Sequence, residues 1–220
     1  MESSSEQAPA TEAPLNETSS LRRMPNQRRS RERVEKILDC ATTLIAECGS
    51  DAMRMNEVAR LSGISIGSLY QYFPDKGAII QTLAERYNAH GRDCIETALV
   101  SVSTADELLN AFSALIDEYY EIFLDEPVMR EIWCGTQADK ALNDSELANS
   151  RVNGGVLADA LHRLNSSAEH EELAAAAFLI IHLGEATMRL AVSVDRAEGG
   201  KLVDAYKRMA ITELRRVIHG

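Results

Sequence analysis

Residues 56–76 read NEVARLSGISIGSLYQYFPDK, and the fold turns on how this stretch divides. Met55, Val58 and Ala59 offer one short apolar face, and Ser62–Gly63–Ile64 forms a tight turn in which Gly63 supplies the positive φ needed to leave a helix sharply. From there Ile66, Leu69, Tyr70 and Phe73 recur at i, i+3, i+4 and i+7, which predicts a second short helix with an apolar stripe. Ser65 is placed to cap that helix by accepting from the amide of Gly67 or Ser68, Pro74 stops it, and Asp75 caps a further helix opening at Lys76. The face opposite the stripe is Gly67, Ser68, Gln71 and Tyr72. It is small, polar and flat, as a surface laid into a DNA major groove needs to be.

Working outward, the whole chain is expected to be helical, since apolar residues recur at three and four and no alternating β-branched run is present. Val34, Ile37, Leu38, Ala41, Leu44 and Ile45 predict an amphipathic helix over about 30–47, ended by Gly49. Long helices follow over about 76–102, which Gly91 interrupts, and over about 106–124, and Glu126–Pro127 starts another. Over 135–155 the pattern is broken by Gly135 and by Gly154–Gly155 and resumes at Val156. Two helices, about 168–194 and 201–219, close the chain across a turn containing Gly199–Gly200. Residues 1–25 are too polar to offset the entropy of ordering and are expected to be a disordered tail.

A net charge of −11 over 220 residues looks wrong for a protein that approaches phosphate until it is divided along the chain. Residues 21–92 hold twelve Lys/Arg against eight Asp/Glu, whereas residues 93–220 hold eleven against twenty-two. The basic excess therefore coincides with the helix-turn-helix, and Arg28 and Arg29 belong to a basic run directly before it, suited to the phosphate backbone. Cys40, Cys48, Cys94 and Cys134 lie without a C-x-x-C spacing, which argues for small core residues over zinc or disulfides. No run approaches the roughly 18 apolar residues of a membrane helix and the first residues are acidic and polar, so a cytoplasmic protein without membrane association is expected. HExxH, G-x-S-x-G and phosphate-cradling glycine motifs are missing, so neither an enzyme nor a cofactor is expected.

The order of long helix, Gly49, Glu57–Val58–Ala59, Ser62–Gly63–Ile64–Ser65, Gly67–Ser68–Leu69–Tyr70–Gln71–Tyr72–Phe73 and Lys76 resembles the DNA-binding domain of the tetracycline-repressor (TetR) family over about 28–80. Where that family has Ser or Thr opening the second helix, this chain has Met53, Arg54 and Met55, and Arg54 offers phosphate a charged contact instead. The resemblance implies an all-α protein with a three-helix DNA-binding domain over 26–75 and an effector-binding and dimerisation domain over 76–220. It implies that Ser65, Gly67, Ser68 and Gln71 face base edges, with Gln71 the natural adenine reader, and that Tyr72 and Lys76 hold phosphates. The partners it implies are a palindromic double-stranded operator, a small-molecule effector and a second copy of the chain. Tyr70 shares the apolar stripe and is read as core.

Two readings stand for His182, Glu185 and Arg189, the polar stripe of an otherwise apolar helix: a Glu185–Arg189 ion pair with a satisfied histidine, or the wall of a ligand cavity. Phe112, Met129 and Trp133 are core residues that also qualify as pocket wall. For a homodimer interface the expected residues are Phe178, Leu202, Tyr206, Met209 and Leu214. The alternative function is a helical ligand- or partner-binding protein whose helix-turn-helix is not used on DNA.

Overall fold

The computed structural model describes residues 23–135 and 140–219, and within them every regular element is a helix. The head comprises α1 (Arg23–Ala52), α2 (Met55–Ser62) and α3 (Ile66–Tyr72). The body comprises α4 (Lys76–Leu99), α5 (Ala105–Asp125), α6 (Pro127–Gly135), α7 (Lys140–Leu164), α8 (His170–Val192) and α9 (Arg196–His219). α8 packs between α7 and α9, α4 and α5 lie beside them, and α6 rests on α1, tying head to body. The expected tail falls, over residues 1–22, outside the described residues, as does the stretch 136–139.

Local sequence accounts for most boundaries. Gly63 takes φ 71° at the end of α2, and its amide closes the last turn on Ala59 and Arg60. Ser65 accepts from the Ser68 amide at 3.1 Å, Asp75 from Ala78 at 2.8 Å, and Thr104 with Glu107 forms a reciprocal capping box at the start of α5. The head is held by Ile37, Leu38, Ala41, Ile45, Val58, Leu69 and Phe73, all at most 5% exposed. Each large member contributes about 1.5–3 kcal/mol by leaving water.

Several expectations are corrected. α1 starts seven residues before Ser30, so the basic lead-in is itself helical, and its regular backbone breaks only at Gly49, where φ is 82°. Gly91 lies inside an unbroken α4. Gly154–Gly155 do not break α7: a Cβ on Gly154 would come within 2.8 Å of the Phe178 Cα, so this glycine is where α7 and α8 touch backbone to backbone. Gly199–Gly200 lie within the first turns of α9, where Gly199 sits against the Ala191 carbonyl, rather than in a connecting turn. None of Cys40, Cys48 and Cys94 is buried, so they are not core residues. α8 is apolar enough by mean hydropathy and length to cross a membrane, yet it carries Glu185 and Arg189 and supplies seven buried positions to the bundle.

Candidate functional site

The surface of α3 is fixed by Leu69 and Phe73, which at i and i+4 anchor it to the core. Gly67 and Gln71 lie on the exposed side, as the sequence implies, and Ser65 stays exposed while capping; Ser68 is half-buried. The two tyrosines exchange places: Tyr70 is 51% exposed, whereas Tyr72 is half-buried against the core. At 100° per residue they flank the Leu69–Phe73 stripe by equal angles, so periodicity cannot rank them, and packing on the Tyr72 side decides. Ile66, in the first turn, is also exposed. The outward face therefore reads Gly67, Tyr70 and Gln71 at i, i+3 and i+4. A Cβ on Gly67 would meet nothing within 4 Å, so the fold itself does not require glycine there.

The neighbouring helices of the head carry exposed cations. Arg54 is exposed at the start of α2 and makes no capping bond to that helix. Arg28 and Arg29 are exposed on α1, and the Arg28–Glu32 pair at 2.8 Å lies in open solvent, where such a pair is worth little and yields readily to phosphate. Lys76 has a role the sequence did not disclose. Its ammonium donates to the carbonyls of Ser50 at 3.1 Å and Asp51 at 3.0 Å, closing the end of α1 onto the start of α4. Arg86 of α4 reaches Glu35 of α1 at 2.6 Å, a second tie between the same two helices.

In the body, a cavity opens between α4, α5, α7 and α8, with Met129 of α6 and Tyr206 of α9 completing its wall. It has a volume of about 110 Å³, which exceeds the need of one water several-fold. Its wall is largely apolar: Phe112, Leu115, Ile116, Ile122, Ile181 and Met188 contribute alongside Tyr87 and Tyr119. Gly91 lines it too, with open space where a side chain would stand. Of the expected pocket residues, Phe112, Met129 and Glu185 line the cavity and the other three do not. Trp133 is 4% exposed and packs edge-on against Phe123 and Tyr87 in the core. Arg189 is taken up in an ion pair with Glu146, and His182, 3.8 Å from the Glu185 carboxylate, does not reach the cavity wall.

That polar stripe is a network rather than a Glu185–Arg189 pair. The Ser150 hydroxyl donates to Glu185 Oε2 at 2.5 Å and lies 3.1 Å from His182 Nδ1, and the Arg92 guanidinium of α4 donates to Asn149 Oδ1 at 3.1 Å. Burial first of all raises the Glu185 carboxyl to about 7; the nearby Glu146 pushes the same way, against hydrogen bonds from Ser150 and Asn149 and the charge of Arg189. Burial likewise raises the Tyr119 and Tyr206 hydroxyls, with Glu185 adding to both. Donor atoms of Glu146, His182 and Glu185 lie within 4.8 Å of one another. They could hold a divalent cation only if Arg189 gave up Glu146.

Sequence reasoning missed Asn149 and Asn153, which line the cavity from α7. A signal existed: Glu146, Asn149, Ser150 and Asn153 fall at i, i+3, i+4 and i+7 and are all buried. The expected dimer residues also need revision. Leu214 is fully buried and Tyr206 8% exposed within one chain, where the Tyr206 hydroxyl donates to the Ile180 carbonyl at 2.6 Å; neither can face a partner. Phe178 and Leu202 are half-buried, Phe178 beneath the Arg151 guanidinium, and only Met209, 66% exposed, projects outward. On α8, Leu179, Leu183 and Leu190 are also exposed, at 55%, 41% and 52%, and by their spacing share one face of that helix.

Comparison with known proteins places these features in a family. The model for bacterial regulatory proteins of the tetR family matches residues 37–83, and that for the tetracyclin repressor-like C-terminal domain matches residues 79–218. The chain is 32% identical over 88 residues to the uncharacterized HTH-type transcriptional regulator YvdT of Bacillus subtilis, a match covering 40% of this chain and 44% of that one. It is 24% identical over 145 residues to the HTH-type transcriptional repressor KstR of Mycobacterium tuberculosis, covering 60% of this chain and 64% of the relative. Each match thus spans less than two thirds of the relative's length. The fold is similar to that of a TetR-family transcriptional regulator from Streptomyces coelicolor, with a TM-score of 0.63 at 20% identity over 84% of this chain and 99% of that one. With its head and almost its entire body matched in sequence, the chain belongs to the tetR family of bacterial regulatory proteins.

Proposed function

We propose that this protein is a ligand-responsive, DNA-binding transcriptional regulator, a repressor that leaves its operator when a small molecule fills the cavity of the body. The observation that carries the reading is the exposed Gly67–Tyr70–Gln71 face of α3, fixed from below by Leu69 and Phe73 and flanked by Arg54. Gln71 reads a base edge through its paired donor and acceptor, and Ser65, Gly67 and Ser68 let the helix approach closely. Arg28, Arg29 and Arg54 hold phosphates, while Tyr72 and Lys76 are half-buried and the Lys76 ammonium, already donating to Ser50 and Asp51, has one donor left for them. Family membership and the repressor named among the relatives support this use; nothing in them favours a helical binding protein that ignores DNA. The reading assigns no enzymatic turnover and a place in the cytoplasm beside the DNA.

Two copies associate through the outward apolar face of α8 and α9, Leu179, Leu183, Leu190 and Met209, and present two α3 helices to a palindrome. Signal passes along α4. Arg92 near one end holds Asn149 at the cavity, and Lys76 at the other end holds α1. An effector that prefers the cavity shape of one α4 position shifts the spacing of the two heads, and it does so only to the extent of that preference. A mobility-shift assay with DNA from around the protein's own gene tests the reading. The expected result is a salt-sensitive, sequence-preferring complex whose preference Gln71→Ala relaxes by about 1–3 kcal/mol. Equal losses on operator and random DNA in that variant would remove Gln71 from the base contacts, and no salt-sensitive complex at all would remove the function.

A further inference from the structure

We propose that the effector is a protonated amine on a compact apolar body, its ammonium group received by Glu185 and Asn153 in the depth of the cavity and drawn in past Glu118 at the mouth. This rests on the reading of the cavity as the effector site. The wall contains two carboxylates, Glu118 and Glu185, and neither lysine nor arginine. The nearest arginines lie outside the wall: Arg189 pairs with Glu146, and Arg92 donates through one terminal nitrogen to Asn149, its Nε buried without a partner. Asn153 is 5% exposed, lines the cavity, and its Oδ1 is buried without a hydrogen-bond partner. A buried acceptor left in that state asks for a donor from the occupant. Glu185, 5% exposed, accepts through Oε2 from Ser150, and the arginine whose charge reaches it, Arg189, is paired with Glu146.

The rest of the wall sets the body of the ligand. Tyr87, Phe112 and Tyr119 present aromatic rings, which suit both an apolar skeleton and the face-on approach of a cation. An anionic occupant is disfavoured by the same residues, since a carboxylate would be buried beside Glu185 with the imidazole of His90 as the one basic side chain of the wall. A neutral alcohol satisfies Asn153 Oδ1 but offers Glu185 no cation. It therefore ranks between the two.

The test uses the full chain and three probes of one shape, 4-phenylbutylamine, 4-phenylbutanol and 4-phenylbutanoate, titrated at neutral pH. Trp133, the single tryptophan, lies edge-on to the cavity residue Tyr87 with centroids 6.0 Å apart, so its fluorescence reports occupancy. The amine is expected to bind at least roughly tenfold more tightly than the alcohol, and the carboxylate weakest. Glu185→Gln should collapse the amine-to-alcohol ratio while leaving alcohol binding in place. Asn153→Leu should weaken both amine and alcohol, and it carries the comparison alone if the first variant does not fold. Carboxylate binding equal to or better than the amine, a ratio that survives Glu185→Gln, or no binding by any probe would overturn the proposal. Operator binding of the ligand-free chain is measured on the same preparation. Its absence beside an intact amine ranking would refute the regulator reading and leave the pocket assignment standing.

Discussion

Gly67→Ala separates the fold of α3 from its use. Gly67 is the second residue of a seven-residue helix, its backbone is not among the positive-φ glycines, and an added methyl meets nothing within 4 Å. Alanine should therefore be tolerated without strain and should favour the helix by about 0.5–1 kcal/mol, less near a terminus than in a helix interior. For a chain of this size that corresponds to a rise in Tm of roughly 1–4 °C. On DNA the same methyl occupies the gap through which the helix approaches the base edges. Crowding of a close-packed contact costs about 1–3 kcal/mol, so operator affinity should fall by roughly five- to 150-fold. Thermal denaturation and mobility shift on one preparation give both numbers. A variant that is stabilised and still binds the operator as tightly as the parent would refute the assignment of this face to the groove; a destabilised one would refute the geometry of α3.

Three further outcomes are expected. Lys76→Ala removes two hydrogen bonds from the end of α1, so it should lower stability by about 1 kcal/mol or more and weaken all DNA sequences alike; a loss confined to the operator would count against its positioning role. Glu185 carries a folded-state pKa of about 7 against an ordinary 4.5, so between these values the unfolded chain sheds its proton first and stability falls as pH rises, by at most on the order of 3 kcal/mol once pH exceeds 7. The groups facing it are Glu146, Asn149 and Ser150 of α7, His182 and Arg189 of α8, Tyr119 of α5 and Tyr206 of α9. Glu185→Gln should thus gain on the parent between pH 5 and pH 8 in denaturant titrations, and a pH-independent difference would contradict the burial of this carboxyl. Leu183→Glu places a charge in the centre of the exposed α8 face and should yield monomers by sedimentation while leaving the helical signal intact; an unchanged association state would move the interface elsewhere.

How far the sequence carried each feature follows from what its periodicity encodes. Leu69 and Phe73 were legible because one face of α3 must be buried, and Ser65, Asp75 and Gly63 because caps and left-handed turns are local chemistry. The exchange of Tyr70 and Tyr72 was not, since the angular position of a flanking residue does not say on which side the neighbouring helices lie. Gly154 read as a break because a glycine that ends a helix and one that admits another backbone look identical in one dimension; only Phe178 distinguishes them. In α8, Glu185 stood out as a polar residue among apolar ones and does line the cavity, but the partner of Arg189 came from α7, 43 residues away. The pocket is shaped by such distant meetings, which is why Phe112 and Met129 joined it and Trp133 did not.

The central claim, a regulator that reads a palindrome through two copies of α3, is tested most directly by selecting the DNA that the full chain prefers from a random pool. Enrichment of an inverted repeat is expected, with half-sites about 10–10.5 base pairs apart centre to centre or a multiple of that spacing. Enrichment of a single unrepeated site, or of no sequence at all, would contradict it.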